Sequence, residues 1–161
     1  MASWTDVTAT APELAATVQG RFEAHGLALL ATLRRDGSPR ISGLEPLFAE
    51  GELWLGMMPG SRKAADLLRD PRFALHSATV DKQVEHGDAK LSGRAHLVDD
   101  DETFARFVAA FDRQTGAPPP PGSFPLFRAD VTELSVVMPA GDHLNIDWWR
   151  EGREPVRVER Y

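Results

Sequence analysis

The chain has 161 residues, 18 of them basic and 24 acidic, for a net charge of −6, with 42% hydrophobic composition and no cysteine. That length bounds it at about one domain with room for a real core. The acidic balance argues against nucleic-acid binding, which rests on phosphate neutralisation. The missing cysteines exclude disulfides, thiolate nucleophiles and zinc–sulfur sites together.

Residues 1–11 read as a loosely ordered start. Pro12 opens a helix through about His25, with Leu14, Val18 and Phe22 on one face and Gly26 as its stop. No basic residue precedes Arg21, so a secretory leader is not expected. The apolar run from Leu27 to Ala31 is too short to span a bilayer, so no membrane partner is expected. A cytoplasmic protein fits these features best.

From Leu27 the pattern turns β. Leu27–Leu33 is a buried-type strand, Arg35-Asp36-Gly37-Ser38 a hairpin signal, and Pro39–Phe48 a second strand. Glu50-Gly51 turns the chain into a third strand ending at Met57, completing an antiparallel meander. A short helix follows over 61–70, its Ala64, Leu67 and Leu68 recurring at helical spacing until Asp70-Pro71 ends it.

The segment before that helix, Pro59-Gly60-Ser61-Arg62-Lys63, carries the sharpest signal. Ser61 is a natural N-cap, and Arg62 and Lys63 fall in the first turn, where the helix dipole disfavours a cation by roughly 0.3–1 kcal/mol. An anion would reverse that penalty, because backbone amides, a hydroxyl and two cations would converge on it. The segment is therefore either a phosphate pocket or a plain capped helix with two solvated charges.

Further on, Arg72–Thr79 alternates as a strand, and Val80–Gly87 is a polar loop. Ala89–Val98 alternates again, with Lys90, Ser92, Arg94 and His96 on one face. Asp99–Gln114 is an amphipathic helix whose apolar stripe is Phe104, Phe107, Val108 and Phe111. Residues 116–123, with the run Pro118–Pro121, form a stiff exposed connection. The forty residues beyond it are too few for an independent core, so their strands, Phe127–Met138, His143–Arg150 and Glu154–Glu159, complete the same domain over 1–161. Many antiparallel strands with helices in the crossings predict a mainly β, closed or nearly closed barrel.

Several chemistries are absent. There is no G-x-G-x-x-G, no G-x-x-x-x-G-K-[ST], no H-E-x-x-H and no G-x-S-x-G. The five histidines show no ligand spacing, and the carboxylates propose no acid–base pair. Any catalysis is then more plausibly supplied by a bound cofactor than by a side-chain nucleophile.

The order Leu29-Leu30-Ala31-Thr32-Leu33, Asp36-Gly37-Ser38-Pro39, Leu53-Trp54-Leu55, Pro59-Gly60-Ser61-Arg62-Lys63, Leu67-Leu68 and Asp70-Pro71-Arg72-Phe73 resembles the pyridoxamine 5′-phosphate oxidase-like proteins, the FMN-binding split β-barrels. Lys90-Leu91-Ser92-Gly93-Arg94-Ala95 extends the resemblance over most of residues 20–160. It implies a six-stranded antiparallel split barrel, assembled as a homodimer with a flavin in each groove between subunits. Carried over by position, Ser61, Arg62 and Lys63 would hold the cofactor phosphate. Ser42 and Gly43 on one strand, and Met57 and Met58 on another, would pass under the flavin ring. Trp149, or the Trp148-Trp149 pair, would stand near the ring.

The resemblance has limits that bear on substrate. The vitamin oxidases carry an arginine where this chain has Ser42 and an arginine-glutamine pair near Gly87-Asp88. Their C-terminal arginine-x-histidine-x-arginine element loses its histidine here, in Arg157-Val158-Glu159-Arg160. The resemblance thus implies the family's cofactor but not the vitamin B6 reaction. It leads to three expectations: an FMN-dependent oxidoreductase acting on a small molecule, the same with the deazaflavin coenzyme, or a non-catalytic flavin- or haem-binding protein.

Overall fold

The computed structural model describes residues 1–161 and holds four helices and a nine-stranded antiparallel sheet. The strands are β1 (Ala28–Leu33), β2 (Pro39–Leu44), β3 (Pro46–Ala49), β4 (Glu52–Gly56), β5 (Arg72–Ser77), β6 (Asp88–Leu97), β7 (Leu126–Ala140), β8 (His143–Arg150) and β9 (Val156–Arg160). The helices are α1 (Trp4–Thr10), α2 (Pro12–Glu23), α3 (Arg62–Arg69) and α4 (Asp101–Thr115).

The sheet runs β2-β1-β5-β6-β7-β4-β3, with β8 and β9 added beyond the upper part of β7. The predicted single strand Pro39–Phe48 is in fact two, broken at Glu45. Its halves lie at opposite ends of the strand order, so one bent stretch of chain supplies both edges and brings them together. Counting β2 and β3 as that one bent strand, the barrel has the six expected strands. No ladder joins β2 to β3, so the barrel is split at this corner.

Long β7 serves three partners because β4 takes its first residues and β8 its last, while β6 runs along the other side. The β6–β7 register shifts between Ser92 and Gly93, a bulge that bends the pair toward closure. Gly93 is required there: a Cβ would lie 2.0 Å from the Asp130 carbonyl oxygen.

The core fills the barrel from alternate positions, among them Leu30, Leu53, Leu75, Leu91 and Leu134. Each such side chain stabilises the fold by roughly 1.5–3 kcal/mol relative to exposure. Helix α2 packs Leu14, Ala15, Val18 and Phe22 against β6 and β7. A second, smaller core forms where α4 sets Phe107 against Trp54 and Leu126.

Residues 1–11, expected to be loose, are ordered. Ser3 and Asp6 form a reciprocal capping box, and Trp4 and Val7 bury their side chains. The Thr5 amide and hydroxyl both donate to the Gly51 carbonyl, fastening α1 to the β3–β4 turn. No helix is long and apolar enough to cross a membrane.

Candidate functional site

Helix α3 begins as the sequence predicts, with Ser61 in an extended N-cap conformation. Its hydroxyl makes no cap hydrogen bond; it is buried and has no partner. The amides of Arg62, Lys63 and Ala64 likewise find no backbone acceptor, as expected of a first helical turn. A buried orphan hydroxyl beside unpaired amides suits an anionic group, since leaving such donors unmet is costly. The residues present therefore fit a phosphate.

The two cations diverge. Lys63 turns toward β2, where its ammonium donates to the Gly43 carbonyl at 2.9 Å. Arg62 faces the other way, into an open cleft with Arg34, Arg35, Arg40 and Arg69. The start of α3 thus has Lys63 on its cavity side and Arg62 on the cleft side, where Asp36 and Asp66 accompany the arginines, rather than aiming both cations at one spot.

Asp66 sets the helix in place. It is 3% exposed, and its carboxylate accepts from Thr32 of β1 at 2.9 Å, Arg40 of β2 at 2.7 Å and Arg69 at 3.0 Å. Burial alone would raise this carboxyl, but the hydrogen bonds from Arg40, Arg69 and Thr32 outweigh it and hold it below its ordinary value. At the other end of α3, the Arg72 side chain and amide pull the Asp70 carboxyl down to about 2.

On the Lys63 side lies a cavity of about 530 Å³. Gly43, Leu44 and Glu45 line it from β2 and the corner, and Gly56, Met57 and Met58 from the end of β4. Its far end is aromatic: Trp54, Phe107, Phe111 and Phe124, under a rim of Pro119–Pro121. Of the residues expected at the site, Gly43, Met57, Met58 and Lys63 meet here. Met57 is buried, whereas Met58 is 78% exposed at the mouth. Ser42 is not part of the lining: it stands opposite Leu30, on the inner side of the sheet.

Trp149 requires a correction. It is 2% exposed, packed in the main core opposite Leu134. The strand alternation instead turns Trp148 outward, in a cross-strand row Gly43, Leu29, His76, Lys90, Ser135, Trp148, Val156. The aromatic end of the cavity lies outside the residues the sequence points to. Its signal was present in the phenylalanine-rich stripe of α4, which reads equally well as ordinary packing.

A six-stranded barrel split at a bent strand, with a basic-flanked helix start beside the split, is the FMN-binding split β-barrel fold. The pyridoxamine 5′-phosphate oxidase family model matches residues 14–138, and the chain belongs to that family. No match was found among curated protein sequences.

Solved structures share the fold at low sequence identity. A pyridoxamine 5′-phosphate oxidase-related, FMN binding protein from Nostoc punctiforme superposes with a TM-score of 0.68 at 16% identity, over 94% of this chain and 96% of that one. PhzG from Burkholderia lata, solved with tetrahydrophenazine-1-carboxylic acid, gives 0.62 at 15% identity, over 95% and 90%. A heme binding protein from Mycobacterium smegmatis gives 0.62 at 20% identity, over 84% of this chain and 57% of that one.

Proposed function

We propose that this protein is an FMN-dependent oxidoreductase acting on a small molecule. The observation that carries the reading is the start of α3, where the Ser61 hydroxyl is buried without a partner beside unpaired amides, two residues before Lys63, which lines a cavity large enough for a ligand. Ser61 and the unpaired amides would hold the phosphate at that helix start, with Lys63 and Arg62 supplying positive charge from its two flanks. Gly43, lacking a side chain, lets a flat ring approach β2. Met57 and Met58, which line the cavity, would offer soft thioethers to the ring. When bound, the flavin supplies hydride transfer, and the chain's own part is to bind, orient and exclude water.

FMN is favoured over haem because a phosphate, which haem does not carry, is what the unpaired amides and orphan hydroxyl at the start of α3 suit. The deazaflavin coenzyme would present its phosphate to the same helix start and remains the second reading.

A second copy of the chain completes the groove by covering the outer face of the sheet. Ile41, 72% exposed, and Leu29 lie on that face, and Trp148 continues it across β8. Covering such side chains is what a dimer interface does.

The test is a spectrum and a titration. The purified protein should carry or take up FMN with flavin absorption bands, and bind riboflavin more weakly. A colourless protein that ignores FMN and the deazaflavin coenzyme would overturn the reading, and a Soret band on adding haem would replace it.

A further inference from the structure

We propose that the aromatic end of the cavity seats an uncharged, flat, fused-ring substrate against the flavin. This rests on the FMN reading and deepens it by naming the substrate class. The two charged side chains in the lining, Glu45 and Lys63, both stand at the end where β2 and α3 meet. The other end, Trp54, Phe107, Phe111, Phe124 and Pro119–Pro121, offers almost nothing polar. The Trp54 indole is fully buried behind this end, its N–H donating to the Ala49 carbonyl at 3.0 Å, so it backs the seat without exposing an unpaired polar group to it. Ser123 at the rim is the remaining hydroxyl.

The rings form a cage of tilted and edge-on contacts. Trp54 and Phe107 centroids are 5.8 Å apart, and Phe107 and Phe124 meet edge-on at 6.0 Å. Trp54 and Phe107 are buried in these contacts and form a firm backing, which leaves Phe111 and Phe124 as the partly exposed rings able to meet another flat ring, and a charged group placed against them would lose its hydration without a partner. The proline rim is stiff before any ligand arrives, so little ordering opposes binding. Gly56 keeps the floor open: a Cβ there would stand 3.7 Å from Phe124 and 3.9 Å from Phe107, so larger side chains project into the cavity.

The experiment titrates the FMN-loaded protein by calorimetry with menadione, a neutral naphthoquinone, and with its sulfonate. The chain has no cysteine thiol to react with the quinone. Menadione is expected to bind, and the sulfonate at least about tenfold more weakly. Gly56→Val is expected to weaken menadione about tenfold by filling the floor. If that variant fails to fold, Phe111→Asp, at a partly exposed position, should give the same loss. Equal or tighter binding of the sulfonate, no binding of menadione, or full binding by both variants overturns the proposal. So does displacement of menadione by FMN, which would assign the aromatic end to the flavin ring itself. Failure of FMN to bind would refute the flavin reading instead, and the same titration of the free protein would then test the aromatic seat alone.

Discussion

Lys63 reaches from α3 to β2 and donates its ammonium to the carbonyl of Gly43 at 2.9 Å. The bond fixes the distance between the helix start and the strand on which a ring would lie. Arg62, one residue earlier, turns to the opposite flank.

Replacing both Arg62 and Lys63 by alanine should therefore weaken FMN about 10- to 100-fold, the scale of one or two charge-assisted hydrogen bonds. Riboflavin, which lacks the phosphate, should change less than about threefold. Parallel fluorescence titrations check this, and an equal loss for both ligands would place the phosphate elsewhere.

The Asp66 cluster predicts a pH dependence of stability. Its carboxyl lies below the ordinary value of 3.8 in the folded protein, so the unfolded chain takes up that proton first. The stabilisation is whole above that ordinary value and drains away as the pH falls through the lower, folded one. Asp66→Asn should cost about 1–3 kcal/mol at neutral pH, because the charge-assisted hydrogen bonds from Arg40 and Arg69 are lost while both guanidiniums keep some access to water. It should also make the acid limb shallower without abolishing it, since Asp70 titrates in the same window. Urea unfolding from pH 2 to 7 measures both effects, and an unchanged acid limb would refute the assignment.

Ile41→Lys tests the second copy. Ile41 is already exposed in the single chain, so the substitution should leave the fold's stability within about 0.5 kcal/mol. It should nevertheless shift the protein from dimer to monomer in light scattering. A variant that stays dimeric would move the interface off this face.

Gly93→Ala tests the bulge. Its Cβ would fall 2.0 Å from backbone, where no flexible side chain can yield. Destabilisation of at least about 3 kcal/mol is expected, visible as a large drop in melting temperature. A variant as stable as the parent would mean the β6–β7 crossing relaxes freely.

Local signals carried most of the fold. The hairpin at Asp36-Gly37, the alternation of β6 and the cap at Ser61 each announce themselves within a few residues. What stayed hidden depends on distant parts of the chain. The break at Glu45 is set by which edges β2 and β3 must reach, and nothing within Pro39–Phe48 declares it. Trp148 and Trp149 differ only in parity, and parity is fixed by pairing with β7, where a one-residue slip exchanges faces. Ser3 and Asp6 make a local capping box, but the helix they start spans only 7 residues, too few for its apolar spacing to declare it. The cavity's aromatic end joins Trp54 to rings from Phe107, Phe111 and Phe124, more than fifty residues later in the chain.

Glu45 is the lone residue between β2 and β3 at the split, where two leaves of one sheet, β2-β1-β5 and β7-β4-β3, part while staying joined through β6. The cavity borrows Gly43 and Leu44 from the first leaf and Leu47 and Gly56 from the second. A guest lodged there works like a pin through a hinge, since neither leaf can swing away without releasing it. Saturation at a thousand times the dissociation constant would then add about 4 kcal/mol to the stability of the whole barrel. Amide exchange should slow in both leaves together, so a ligand's arrival is reported by strands it never touches.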